Sequence, residues 1–298
     1  MKKLIALLLA LTLTTALGAC GAKESGSTQT PADTGTTETT DNGAAESTDT
    51  GENTELQTVK VAATPVPHAE ILNACVDLMA EKGYQLEITE YNDYIIPNTA
   101  VEEGEEDANF FQHTPYLEEF NEANGTHLVS VASIHYEPMG IYPGKSDSID
   151  AVPDGGTVAV PNDVTNEARA LQLLAAQGLI EVDPNAGLNA TPKDITSNPK
   201  NLQFSELEAA MLPNTVEEFD LNVINSNFAM AAGLNPATDA LASEGADSEG
   251  AQTYANVLVV KEGNEDNEAI KALIECLTSD EVRAFIEETY GGAVVPVF

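Results

Sequence analysis

From about residue 56 the chain alternates short runs rich in aliphatic and β-branched residues with segments whose apolar residues recur every three to four positions. The first pattern is typical of strands and the second of amphipathic helices, so the alternation predicts an α/β protein with a largely parallel sheet. The predicted strands cover 59–65, 86–91, 107–111, 127–133, 156–163, 202–208, 220–226 and 254–260. The predicted helices cover 68–82, 98–104, 114–124, 165–178 and 209–213, followed by two more near the carboxyl end.

The alternation starts afresh after residue 140, which divides the folded part into two lobes. The folded part has roughly 240 residues, which is large for a single hydrophobic core and suits two. We assign 56–140 and 252–298 to lobe one and 141–251 to lobe two. The chain then crosses between the lobes twice, near 137–142 and near Tyr254. A double crossing forms a hinge over a cleft, the arrangement by which two lobes close around a ligand.

The amino-terminal segment predicts export and a lipid anchor. Two lysines precede an apolar run that is too short to span a bilayer comfortably, so 1–19 is predicted to be a signal peptide. The run ends in Leu-Gly-Ala-Cys, which resembles the bacterial lipobox and makes Cys20 the predicted acylated amino terminus. Cleavage of an ordinary signal peptide beside an incidental cysteine is the alternative. Residues 20–55 hold this cysteine and a polar, acidic stretch that cannot form a core, which predicts a disordered tether.

The charge and the motifs of the chain exclude several classes of function. The formal net charge is −37, so nucleic acid and anionic lipid headgroups would be repelled. The sequence contains no phosphate-loop, dinucleotide, zinc-protease or serine-hydrolase motif, and its many acidic pairs are best interpreted as solvated surface. We therefore expect no enzyme activity and no cofactor.

The histidines and cysteines give little support for a metal or redox site. The four histidines lack the close spacing of zinc ligands, so we expect no metal and a neutral hydrogen-bonding role for His113. Cys75 and Cys276 lie in helical patterns and are interpreted as two separate buried thiols. A disulfide between them is the less favoured alternative.

Arg169 is the more informative of the two arginines in the sequence. It lies just inside a predicted helix that follows a polar loop, where the guanidinium and free backbone N–H groups would suit a ligand carboxylate. An ion pair with Glu167 or Asp163 is an equally good interpretation. Arg283 is expected on an exposed helix face, four residues before Glu287.

Aromatic residues cluster in 91–94 and 109–116, two stretches that follow or end predicted strands. Ligands bind beyond the carboxyl ends of strands in open α/β sheets, although both stretches could equally be core. Because side chains alternate along a strand, one of Phe110 and Phe111 is expected in the core and the other in the cleft.

Long motifs occur in order along residues 58–298. They are NDYIIPN, DANFFQHTPYL, HYEPMGIY, GTVAVPNDVTNEARALQLL, NPKNLQFSELEAAMLP, NVINSNFA and GGAVVPVF. With these motifs the chain resembles the MetQ/NlpA lipoproteins, the methionine-binding components of ABC importers. The resemblance implies an α/β, two-lobed periplasmic-binding-protein-like fold with a cleft and a two-segment hinge.

The resemblance also implies the residues of the site. The carboxylate-binding arginine of the family falls on Arg169, and its ligand-binding asparagines fall on Asn166 and Asn225. Its aromatic and histidine contacts fall on Tyr94, Phe111, His113 and Tyr116. One departure is Phe228, which stands where the family pattern has Tyr.

The implied ligand is L-methionine or D-methionine, a zwitterion with no net charge for the acidic protein to repel. The implied partners are the permease and ATPase of an ABC importer, with the protein monomeric and lipid-anchored on the outer face of the cell membrane. Two alternatives stay open: a receptor for another small amino acid or a methionine-containing dipeptide, and a surface adhesion protein on the same scaffold. The charged and aromatic cleft residues favour a receptor, because an adhesion scaffold need not keep them.

We predict that Cys20→Ala releases the protein from the membrane fraction or stalls its processing, because the acyl chains can no longer be attached. Cell fractionation followed by immunoblotting measures both effects. Unchanged membrane retention of a normally cleaved variant would contradict the prediction.

Overall fold

Two large sheets organise the chain in a computed structural model, which describes residues 56–245 and 249–298 except for the side chains of residues 249 and 251. The predicted signal peptide, Cys20 and the tether lie outside the described residues. The strands, in chain order, are β1 (Gln57–Ala63), β2 (Tyr84–Glu90), β3 (Ala108–His113), β4 (Leu128–Tyr136), β5 (Gly140–Pro143), β6 (Thr157–Pro161), β7 (Glu181–Val182), β8 (Ile195–Ser197), β9 (Gln203–Leu207), β10 (Leu221–Ile224), β11 (Ala242–Ser243), β12 (Ala255–Lys261) and β13 (Val295–Pro296).

The helices pack against the two sheets. The α-helices are α1 (Glu70–Asn73), α2 (Val76–Glu81), α3 (Ile96–Glu103), α4 (Thr114–Asn124), α5 (Val164–Ala176), α6 (Ser226–Ala231), α7 (Glu249–Thr253), α8 (Glu268–Leu277) and α9 (Asp280–Tyr290). Helical turns of other types cover Pro65–Ala69, Gly187–Asn189, Pro192–Asp194 and Ala209–Glu218. The helix predicted over 68–82 is interrupted, because Cys75 donates its N–H to Leu72 rather than to the residue four positions back.

Both large sheets mix parallel and antiparallel strands, and are not largely parallel as the sequence predicts. The first has the order β13-β4-β12-β3-β1-β2, with β1 parallel to β2 and β3 and with β12 antiparallel to β3 and β4. The second has the order β11-β5-β10-β6-β9, with β6 parallel to β9 and β10 and with β5 antiparallel to β10 and β11. Strands β7 and β8 form a separate pair.

The chain changes sheet between strands that have antiparallel neighbours, β4 to β5 and β11 to β12. Residues 137–139 carry it from β4 in the first sheet to β5 in the second, and residues 244–254 return it from β11 to β12. β12 then inserts between β3 and β4, which places both crossings side by side. Each predicted strand matches an observed one, whereas β5, β7, β8, β11 and β13, which are two to four residues long, were not predicted. The bounds given for the two lobes stay a prediction.

Polar residues fix the starts of the helices that carry the site. The side chain of His113 accepts the N–H of Tyr116 at the start of α4, and Asp163 accepts the N–H of Asn166 at the start of α5. Such caps satisfy backbone donors that have no partner within the helix. Gly125 ends α4 with φ of 67°, a left-handed conformation that favours glycine.

The largest core lies between the first sheet and α1, α2, α8 and α9. Leu258 of β12 is fully buried there, and so are Cys75 and Cys276, which are free thiols as the sequence favours. A second core packs α5 against the second sheet. None of the helices in the described part of the chain has the length and the apolar character that a membrane-spanning segment needs.

We predict that Leu258→Ala lowers the free energy of unfolding by about 2 to 5 kcal/mol, because it leaves a cavity in a fully buried position. The matched control is Leu188→Ala, at a position that is 39% exposed, which should change it by about 0.5 kcal/mol or less. Urea unfolding of the soluble form measures both. Equal losses in the two variants would contradict this placement of the core.

Candidate functional site

A cavity lies between residues carried by elements of both large sheets. Every residue that the sequence assigns to ligand binding lines it: Tyr94, Phe111, His113, Tyr116, Asn166, Arg169 and Asn225. The structure therefore brings this set together in one place, although the ligand-binding role of each residue stays a prediction. Five further residues complete the lining: Gln112, Glu137, Ser226, Asn227 and Asn256.

Aromatic rings form the apolar wall of the cavity. The ring centroid of Tyr94 lies 5.8 Å from that of Phe111, 5.7 Å from that of Tyr116 and 4.8 Å from that of Phe228. Phe111 faces the cavity while Phe110 packs in the first core, as strand alternation predicts. The Tyr94 hydroxyl donates to Asn227 Oδ1 at 2.6 Å, a hydrogen bond that joins the two sides of the cavity.

His113 is a neutral hydrogen-bond donor toward the cavity. Its Nδ1 accepts the backbone N–H of Tyr116 at 3.2 Å, so the proton of the neutral ring must be on Nε2. Nε2 then donates to Asn166 Oδ1 at 3.2 Å. Burial, reinforced by the positive charge of Arg169, lowers the pKa of His113 to about 3. The neutral role predicted for this residue agrees with these contacts.

A chain of hydrogen-bonded amide side chains leaves one side-chain oxygen without a hydrogen-bond donor. Asp163 can only accept, so it receives Asn166 Nδ2 at 2.8 Å and turns Asn166 Oδ1 toward Asn225. Asn225 must therefore present its Nδ2, which donates to Asn166 Oδ1 at 2.8 Å. The Oδ1 of Asn225 is left buried with no hydrogen-bond partner. An unpaired buried acceptor is unfavourable and favours a ligand that can donate to it.

Arg169 is buried and already has an acidic partner. Its side chain is 4% exposed, and its Nε and Nη2 donate to the two carboxylate oxygens of Glu244 at 2.8 and 2.6 Å. Nη2 also donates to the backbone oxygen of Glu137 at 2.7 Å. The guanidinium carbon lies 4.3 Å from the ring centroid of Tyr254. No described hydrogen bond involves Nη1.

The sequence names the wrong acidic partners for both arginines. Glu244 lies in a polar segment without periodicity, and only the return of the chain to β12 brings it to Arg169. Asp163 instead caps α5. Arg283 donates to the backbone oxygen of Phe298 and stacks on its ring, rather than pairing with Glu287.

A second polar cluster lies at the crossing between the sheets. His135 Nε2 lies 2.7 Å and His68 Nε2 lies 3.3 Å from the same carboxylate oxygen of Glu137. His68 Nε2 also lies 3.0 Å from Asn256 Oδ1, and its Nδ1 accepts from the Thr64 hydroxyl at 2.7 Å. Burial lowers the pKa of His68 to about 4 and that of His135 to about 3, and it raises the pKa of Glu137.

These same residues are the described group best placed to hold a metal ion. His68, His135 and Glu137 each offer one ligand atom, and the three atoms lie within 4.8 Å of one another. Spacing along the chain does not reveal the group, because β4 and the turn after β1 are brought together only by folding. Hydrogen bonds account for each of its close contacts, and the absence of a metal stays a prediction.

The family model of the NlpA lipoproteins matches residues 59–298. The chain belongs to the NlpA lipoprotein family.

Individual relatives are similar to this chain over most of their length. The methionine-binding lipoprotein MetQ of Bacillus subtilis is 38% identical over 251 residues, which are 83% of this chain and 90% of that protein. A crystal structure from Ruminococcus gnavus is 54% identical with a TM-score of 0.80, covering 81% of this chain and all of that one. A nutrient-binding protein from Burkholderia cenocepacia bound to methionine is 39% identical with a TM-score of 0.77, covering 80% of this chain and 100% of that one.

These likenesses confirm the family resemblance and the fold class that it implies. The sequence missed several lining residues for identifiable reasons. Ser226 and Asn227 follow Asn225 directly at the end of β10, so their position was a usable signal. Glu137 and Asn256 lie at the crossings, where no periodic pattern singles out one side chain.

We predict that His113 makes folding less stable in acid. Its pKa falls from an ordinary 6.5 to about 3 on folding. Below about pH 6.5 the imidazole is therefore protonated in the unfolded chain but stays neutral in the folded protein, which favours unfolding. The free energy of unfolding should therefore drop more between about pH 7 and pH 5 in the wild type than in His113→Gln. Urea unfolding at both pH values measures this.

The control for this prediction is His127→Gln, which removes a histidine whose side chain is 66% exposed. Its pH dependence should follow the wild type. The same acid loss in His113→Gln as in the wild type would show that His113 is not a buried neutral ring.

Proposed function

We propose that this protein captures methionine outside the cytoplasm and delivers it to the permease of an ABC importer. One observation carries the proposal: the buried guanidinium of Arg169 and a buried acceptor without a partner, Asn225 Oδ1, belong to residues that line one aromatic-walled cavity. An amino acid presents the complementary pair of groups. Membership of the NlpA family supports methionine as that amino acid.

The carboxylate of the ligand binds Arg169. The guanidinium is held in place by Glu244 and the backbone of Glu137, and Nη1 is the nitrogen that makes no hydrogen bond to the described residues. The amide of Asn166 and the neutral ring of His113 lie in the same lining and exclude bulk water. A hydrogen bond to a charged group is strong in such surroundings.

The ammonium of the ligand binds Asn225. Its Oδ1 is held in place because Nδ2 is already used by Asn166. An ammonium donor satisfies an acceptor that is otherwise buried without a partner. The two polar ends of the ligand are thus fixed by groups whose orientation is set before binding, which reduces the entropy lost on binding.

The thioether side chain packs on the rings of Tyr94, Phe111 and Tyr116. A flexible, polarisable sulfur makes favourable contacts with aromatic edges and faces. Phe228 stacks on Tyr94 at 4.8 Å between centroids and extends this wall, so a hydroxyl at this position is not required for an apolar contact. L-methionine and D-methionine both offer these groups.

The cellular context of the proposal rests on the amino terminus. Acylated Cys20 holds the protein on the outer face of the cell membrane, and residues 20–55 let the folded part reach the permease. The protein acts as a monomer and performs no chemistry on its ligand. The ATPase of the importer supplies the energy for transport.

We predict that Arg169→Ala weakens methionine binding by roughly 30-fold to several-thousand-fold, because the ligand carboxylate loses its buried partner. Arg283→Ala should leave the affinity unchanged, since Arg283 contacts Phe298 and does not line the cavity. Isothermal titration with methionine, leucine and glutamine measures affinity and preference. Equal methionine affinity in the wild type and Arg169→Ala would refute the role of Arg169, and a preference for leucine or glutamine would refute the ligand.

Arg169→Ala also leaves the Glu244 carboxylate without its partner, so Asn225→Ala serves as a second variant that keeps every charge in place. Losing one hydrogen bond to an ammonium should weaken binding by roughly 10- to 150-fold. Melting curves without ligand establish that each variant is folded.

A further inference from the structure

The ion pair between Arg169 and Glu244 affects which ligand charges the cavity can accept. Glu244 engages two nitrogens of the guanidinium in a bidentate pair, with N–O distances of 2.8 and 2.6 Å. Its side chain is 14% exposed, so neither charge is screened by much water. The two charges cancel within the protein before any ligand arrives.

Further hydrogen bonds hold Glu244 in place, so a ligand carboxylate does not displace it. One of its oxygens also accepts the Tyr136 hydroxyl at 2.7 Å and the Met139 N–H at 2.9 Å. Burial opposes its ionisation, but Arg169 and these donors outweigh burial and hold the pKa of Glu244 below its ordinary value. A ligand carboxylate that binds Arg169 must therefore bind beside Glu244 and not in its place.

The other titratable groups of the lining do not add positive charge. His113 is neutral, since its Nδ1 accepts a backbone N–H. Glu137 is neutral or negative, and its side chain points toward His68 and His135. The described lining together with Glu244 thus carries a net charge of zero or below, although it contains an arginine.

We infer that Glu244 determines the specificity of the site by cancelling the charge of Arg169, so that a free ammonium on the ligand is required and ligands with a net negative charge are rejected. The inference rests on the proposed function and narrows it to α-amino acids with an uncharged side chain and an unmodified amino group. An uncompensated arginine would instead attract any carboxylate, including N-acylated amino acids.

The inference makes opposite predictions for two methionine derivatives. Methioninamide keeps the ammonium and loses the carboxylate, so it is a cation that still satisfies Asn225 Oδ1. N-acetylmethionine keeps the carboxylate and loses the ammonium, so it is an anion that leaves Asn225 Oδ1 unpaired. The wild type should bind methionine most tightly, methioninamide next and N-acetylmethionine most weakly.

Glu244→Gln removes the negative charge that compensates Arg169, so the ligand meets an uncompensated positive charge. The ratio of N-acetylmethionine affinity to methioninamide affinity should rise on the order of tenfold or more in this variant. A merely structural role for Glu244 would weaken all three ligands by one common factor and leave the ratio unchanged. Glu275→Gln is the matched control, because it removes the same charge from an exposed pair with Lys82 and should leave the ratio at the wild-type value.

The double variant Arg169→Gln/Glu244→Gln removes both charges and should return the ratio toward the wild type. Isothermal titration of the four proteins with the three ligands measures every ratio, and melting curves check folding. An unchanged ratio in Glu244→Gln, or wild-type protein that binds N-acetylmethionine as tightly as methioninamide, would overturn the inference while methionine binding stands. Wild-type protein that does not bind methionine at all would overturn the proposed function and the inference with it.

Discussion

The burial of one guanidinium governs the arrangement of this site. Arg169 is 3% exposed, and a charged group in such surroundings is strongly unfavourable unless it is paired and hydrogen-bonded. Glu244 supplies the charge and the backbone of Glu137 supplies a further acceptor. These partners come from the two segments that pass between the sheets, so the ion pair depends on both crossings being in place. Arg169 is thus held by the two segments that cross between the sheets.

The same segments connect the ion pair to the rest of the cavity. Glu137 contributes its backbone to Arg169 and its carboxylate to the histidines His68 and His135. On the opposite wall, Asp163 sets the orientation of Asn166, which in turn sets that of Asn225. Asp163 can only accept, and this fixes the orientation of Asn166 and, through it, that of Asn225. This chain of constraints leaves Asn225 Oδ1 as a buried acceptor that a ligand can satisfy.

Periodicity predicts most of the longer elements of the fold, and the alternation along β3 predicts that one of Phe110 and Phe111 lies in the core and the other in the cavity, as observed. The family motifs predict the seven residues that the structure collects around the cavity. The partner of Arg169 could not be predicted, since Glu244 is 75 residues away in a segment with no pattern of its own. Long-range pairing follows from topology, which periodicity does not specify. The group of His68, His135 and Glu137 could not be predicted from the sequence for the same reason.

The central claim is that Arg169 and Asn225 bind the two ends of an amino acid whose side chain lies on the aromatic wall. A crystal structure of the mature protein with selenomethionine as ligand tests it most directly, because anomalous scattering locates the selenium without ambiguity. The account predicts selenium against the rings of Tyr94, Phe111 and Tyr116, the ligand carboxylate on Arg169 Nη1 and the ammonium on Asn225 Oδ1. Selenium outside this cavity, or a ligand whose carboxylate displaces Glu244 from Arg169, would contradict it.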